Sequence, residues 1–122
     1  MEVKDWENNF LKDTYIAIVL MESYSEDSDY TPLYEELFIL IRAFSLEEAG
    51  KKANEYGVSQ ETSYFNENKI LISWKLKKVI DVNSVLEDTI GNVTELYSRH
   101  FKNYDAYSKF EPLSNQDRKQ QL

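Results

Sequence analysis

Residues 14–24, TYIAIVLMESY, are apolar on both alternation phases as far as Met21. Successive side chains of a strand point to opposite faces. Ile16, Ile18 and Leu20 therefore line one face, and Tyr15, Ala17, Val19 and Met21 line the other. A strand of this kind sits inside a sheet, with cover on both faces for most of its length. The rest of the chain has to supply its neighbours and its two covers.

Lys69–Val82, KILISWKLKKVIDV, is the longest clean alternation. Ile70, Ile72, Trp74 and Leu76 form an apolar face, and Leu71, Ser73, Lys75 and Lys77 a mostly wet one. The pattern slips at Lys78, which falls on the apolar phase before Ile80 and Val82 resume it. Either Lys78 lies beyond the core and snorkels, or a bulge lies there. On the first reading the slip marks the end of the core. A polar strand, Ser59–Phe65, precedes it across the turn Asn66-Glu67-Asn68 and brings Glu61 toward Lys75 and Lys77.

Leu33–Phe44 reads as a further strand, joined to 14–24 as an antiparallel hairpin across the polar loop Ser25–Pro32. Ser45-Leu46-Glu47-Glu48 is a capping-box sequence opening a helix. Leu46, Ala49, Ala53 and Tyr56 give that helix one apolar stripe, and Gly57 is placed to end it. Trp6 and Phe10 have the spacing of one helix side, or anchor an N-terminal arm. Ser84 and Glu87 are placed to cap a single helical turn ending at Gly91. Thr94–Phe101 reads as a last strand. Phe101, Tyr104, Tyr107 and Phe110 recur every third residue, an aromatic stripe that on a short helix closes the core.

The expected fold is α+β: an antiparallel sheet of about five strands, ordered β-β-α-β-β-β, with one main helix packed on one face. Residues 1–110 form a single domain, and 111–122 a flexible tail. A chain of 122 residues buries roughly two-thirds of its unfolded surface, enough for one core without covalent staples.

Composition narrows the function classes. There is no cysteine, so disulfides, thiolate metal sites and a cysteine nucleophile are excluded, and a reducing cytoplasm is the expected location. The N-terminus lacks the basic and apolar regions of a secretory signal, and no run of apolar residues is long enough for a membrane helix. A net charge of −8 repels nucleic acid and anionic membranes. A basic protein is the macromolecular partner this charge admits, and solubility alone also accounts for it.

The acidic residues are clustered. No Lys or Arg occurs between Lys12 and Arg42. The hairpin collects Glu22, Glu26, Asp27, Asp29, Glu35 and Glu36 at one rim, interleaved with Tyr24, Tyr30 and Tyr34. Complementary charge raises association rates, and tyrosine supplies contact area at low entropy cost. The expected partner-binding set is Glu22, Tyr24, Glu26, Asp27, Asp29, Tyr30, Tyr34 and Glu36, in a non-enzymatic interaction module of the immunity or inhibitor kind. A solvated loop end is the plain alternative. Glu26-Asp27-Ser28-Asp29 lacks the glycine and twelfth-position glutamate of an EF-hand, so neither metal nor cofactor is assigned.

No phosphate loop, dinucleotide motif, zinc-protease helix or nucleophile elbow is present, and no catalytic residue is assigned. His100 is the single histidine, with Ser98 two residues away, a pair that lacks an orienting group. The competing reading is a ligand pocket or enzymatic site near Tyr64, Trp74, Tyr97, Arg99 and His100. The protein is expected as a monomer, or as a homodimer formed through a sheet edge.

A resemblance adds to this. Pro32-Leu33-Tyr34-Glu35-Glu36, the helix start Ser45-Leu46-Glu47-Glu48-Ala49, and Glu61-Thr62-Ser63-Tyr64 occur in that order. Trp74 with Val79-Ile80-Asp81-Val82, and Thr94-Glu95-Leu96-Tyr97-Ser98-Arg99, follow. The arrangement, from Tyr15 to Phe101, resembles a bacterial family of domains of unknown function, number 4288. The resemblance implies a small cytoplasmic α+β domain and transfers no site.

Overall fold

The computed structural model of the chain describes residues 12–86 and 90–111. Its elements are β1 (Asp13–Tyr24), β2 (Tyr34–Ala43), α1 (Leu46–Ser59), β3 (Thr62–Phe65), β4 (Leu71–Ser84) and α2 (Tyr104–Phe110). The four strands form one antiparallel sheet in the order β2-β1-β4-β3. β1 is interior, as its two apolar faces require. The anticipated helix over Trp6 and Phe10, residues 87–89 of the anticipated 84–91 turn and the tail from 112 onward lie outside the described residues.

One face of the sheet carries the main core. Tyr15, Ala17, Val19 and Met21 of β1 are buried there with Ile41 and Ala43 of β2 and Ala49 and Ala53 of α1. Trp74, Leu76, Val79 and Val82 of β4 pack against this cluster. β4 therefore packs against the same core as the helix. Ser45 caps α1 by accepting from the Glu48 N–H at 3.0 Å. The Glu48 carboxylate pairs with Lys52 at 3.2 Å and leaves the reciprocal half of the capping box unmade.

Gly57 does not terminate α1, which continues to Ser59. A Cβ at Gly57 would stand 2.8 Å from Leu76 Cδ1 and 3.1 Å from Val19 Cγ1. Helix and sheet approach closely at this glycine, and no glycine of the described residues has a positive φ, so its value lies in packing and not in a left-handed turn.

β4 carries two register shifts against β1, between Ile18 and Val19 and between Leu20 and Met21. Val79 opposes Val19 and Leu76 opposes Met21, leaving Ile80 and Lys77 as the unmatched residues. Lys78 opposes Leu20 on the second face. The slip in the sequence pattern is thus a pair of bulges, and the core continues past Lys78 through Val79 and Val82. Lys75 meets Glu61 at 4.0 Å, whereas Lys77 pairs with Glu22 of β1 at 2.8 Å and not with the β3 arm.

The second face is covered differently. Residues 94–101 form no strand, so among the described residues the sheet has four strands and not five. The segment instead crosses beneath the sheet. The Leu86 N–H donates to the Leu96 carbonyl, and Tyr97 Oη donates to Asp81, whose backbone lies opposite Ile18. Ile16 and Ile18 are buried on this face. The expected aromatic stripe exists on α2, with Phe101 stacked on Tyr107 at 4.7 Å. It does not close the core, because no residue of α2 is buried.

Ile18 is 1% exposed, and truncating it removes contacts the second cover is too irregular to replace. Ile18→Ala should cost about 2–5 kcal/mol in urea unfolding. At Gly57, alanine should change stability by less than ~1 kcal/mol, its gain in helix propensity offsetting movement of the flexible Leu76 end. Gly57→Leu should lose about 1–3 kcal/mol by overpacking.

Candidate interaction surface at the loop end of the sheet

β1 and β2 are joined by a loop tied down at its base. Ser23 is fully buried. Its Oγ accepts from the Leu33 N–H at 2.8 Å and shares a hydrogen bond with Tyr30 Oη. The Ser23 N–H donates to the Leu33 carbonyl at 2.9 Å. Within the loop, Asp27 accepts from the Asp29 N–H at 2.8 Å, and the Tyr30 N–H donates to the Asp27 carbonyl. Local turns of this type are what Asp and Ser favour. Tyr30 is therefore an anchor of the loop and not part of its exposed rim.

The other expected rim residues fall into three groups. Glu22 and Tyr34 lie opposite each other on β1 and β2 and share Lys77. Its ammonium lies 2.8 Å from Glu22 and 6.0 Å from the Tyr34 ring centroid. Glu36 lies farther along β2 and lines a groove of about 620 Å³ with Tyr34, Leu20, Ile80, Arg99 and Phe110. Tyr24, Glu26, Asp27 and Asp29 stand together at the loop end.

That end has an apolar centre. Tyr24 opposes Ser73 across the β1–β4 ladder, and Leu71 opposes Phe65 across the β4–β3 ladder. By alternation, Tyr24, Leu71 and Phe65 share the second face of the sheet. They are 43%, 47% and 70% exposed. Beside them an open groove of about 580 Å³ is lined by Tyr24, Ser25, Glu26, Asp27, Lys69, Ile70, Leu71 and Ser73. Lys69 occupies the left-handed region at φ 62°, closing the turn whose Asn66 side chain accepts from the Asn68 and Ile70 N–H groups. Phe65, Leu71 and Ser23 escaped the sequence reading. Leu71 belongs to the wet phase of its strand, and Ser23 occupies the core phase of β1, a polar residue where Tyr15 to Met21 are apolar. That misplaced serine was the available signal.

The second set of expected residues is divided between the two sides of the sheet. Trp74 Nε1 donates to Tyr64 Oη at 3.4 Å on the α1 side. Tyr97 and Arg99 lie on the opposite side, against Asp81 and the Leu20–Glu36 groove. His100 is exposed and borders a shallow groove formed with Phe101, Asn103, Ala106, Tyr107 and Phe110. The five do not surround one cavity, and Ser98 and His100 share no strand. Among the described residues, no group of three or more Asp, Glu or His is arranged to hold a metal ion. No helix among them is long and apolar enough to cross a membrane.

The Lys77 hydrogen bond, more than its charge alone, holds the Glu22 carboxyl below its ordinary 4.5, against a smaller opposing effect of burial. The same bond pushes the Lys77 ammonium above 10.5.

The model of one protein family, domain of unknown function (DUF4288), matches residues 14–98 of the chain. The chain belongs to that family. No curated protein and no solved structure matches it.

Two measurements test this description. With its folded pKa depressed, Glu22 adds stability in full above 4.5, lost as pH falls through the folded value. Lys77 adds its share in full below 10.5, lost as pH rises through its raised value. Glu22→Gln should therefore be less stable than the parent at neutral pH in urea titrations, with the difference shrinking as pH falls below 4.5 through the folded value. Ser23→Ala leaves the Leu33 N–H without its partner and should cost about 1–3 kcal/mol, with faster amide exchange at Leu33.

Proposed function

We propose that this member of DUF4288 is a non-enzymatic interaction module of the bacterial cytoplasm. In this reading it docks a basic protein, as an immunity or inhibitor protein does, through the loop end of its sheet. The observation that carries the reading is the joint exposure of Tyr24, Leu71 and Phe65 beside Glu26, Asp27 and Asp29. Protein interfaces pair an apolar, aromatic-rich centre with a polar rim, and exposed apolar clusters rimmed by charge mark such sites. A loop fixed at Ser23 holds the acids in place before binding, which lowers the ordering cost of association.

The two parts of the surface have separable roles. The carboxylates steer a cationic partner and set the association rate. Tyr24 and Phe65 fill its pockets and set the dissociation rate. A complete lack of cysteine suits a reducing compartment.

The test is to capture partners from the source cell, identify the basic ones and measure their binding kinetics against variants. Glu26→Lys with Asp27→Lys should lower the association rate by about tenfold or more and flatten its salt dependence. Tyr24→Ala should act mainly on dissociation, by about tenfold or more. Binding that is insensitive to salt and unchanged in both variants would overturn the reading.

A further inference from the structure

We infer that the protein forms a twofold symmetric dimer by pairing β2 with β2 of a second copy. This inference stands on a different edge of the sheet and does not depend on the docking reading. β2 is an outer strand, and among the described residues it pairs only with β1. It runs for 10 residues with an uninterrupted register, without bulge or proline. Its centre, Leu37 to Ile41, carries no charge. Long, regular, apolar edges are the ones that recruit another strand, and single-chain proteins interrupt them. Phe38 and Leu40 are 62% and 50% exposed on the second face of this edge.

The sequence of β2 complements itself in one register. Pairing Ile39 with Ile39 of the second copy sets Phe38 opposite Leu40 twice and Leu37 opposite Ile41 twice. The same register sets Glu36 opposite Arg42 twice, so opposite charges meet at both ends. Sliding the strands by two residues loses this. One way, Glu36 meets Leu40; the other way, Phe38 meets Arg42. A one-residue slip turns apolar faces to the wrong side. Arg42 already donates to the Lys12 carbonyl at 3.2 Å through Nη2. Lys52 donates to the Arg42 carbonyl from the α1 side at 2.7 Å. Among the described residues, Glu36 to Ile41 pair with β1 alone. The product is a continuous eight-strand antiparallel sheet, twice the four strands of one copy.

Sedimentation equilibrium of the full chain should give a dimer. Glu36→Arg and Arg42→Glu should each weaken it by about tenfold or more, since each turns two attractive oppositions into two repulsive ones. Combining the two substitutions restores opposite charges and should restore the dimer. A parent protein that is monomeric up to millimolar concentration would overturn the inference, as would folded single variants that dimerise like the parent. A second measurement reads the register directly, because the chain has no cysteine of its own. Ile39→Cys places two thiols face to face, with Cα atoms about 4.5–5.5 Å apart, and should cross-link under mild copper–phenanthroline oxidation. Leu40→Cys should cross-link far more slowly. Equal rates for the two would exclude this register.

Discussion

β1 is apolar on both sides, and burying both sides at once is the condition the rest of the chain satisfies. Ala17, Val19 and Ile18 are at most 1% exposed, so neither face is left to water. On the first face the solution is regular. A capped helix brings Ala49, Ala53 and Gly57 down onto the sheet, and their small size permits the close approach. On the second face the solution is irregular backbone, held by Tyr97 on Asp81 and by the Leu86–Leu96 hydrogen bond. That cover is partial. It leaves grooves beside Arg99 and an apolar surface at the loop end, and the candidate interaction surface is a direct consequence of this incomplete burial.

The two bulges in β4 are the second constraint. Without them, Lys78 would point into the core and Val79 out of it. Each unmatched residue shifts the alternation by one, so Val79 and Val82 both reach the core while Lys78 turns to the second face. The bulge at Lys77 also leaves its side chain to meet Glu22. This pair ties β4 to β1 close to the loop and removes one carboxylate from the acidic rim. In the loop itself, Glu26, Asp27 and Asp29 stay exposed with Tyr24.

The elements that announce themselves by period or cap were legible in the sequence: β1 and β2 as a hairpin, the Ser45-capped helix, the pairing of β3 with β4. Their signals are local, and the structure keeps them. Two readings failed for non-local reasons. Thr94–Phe101 has the composition of a strand, but it pairs with no strand of the described sheet. It serves as cover instead, since composition favours a half-buried extended segment and does not dictate pairing. Gly57 looked like a helix end because glycine usually marks one; only the nearness of Leu76 reveals the other reason for it. At the candidate site, the acids of the loop were visible as a charge pattern. Leu71 and Phe65 were not, because exposure on a sheet face depends on what covers that face, and the cover was the misread segment.

The proposed docking surface is the uncovered loop end of the sheet. Amide chemical-shift mapping on the labelled chain, titrated with the captured basic partner, reads that surface residue by residue. Perturbations should concentrate on Tyr24–Asp29, Phe65 and Leu71–Ser73, with α1 unaffected. Perturbations centred on α1, or on the groove beside Arg99 and His100, would contradict it.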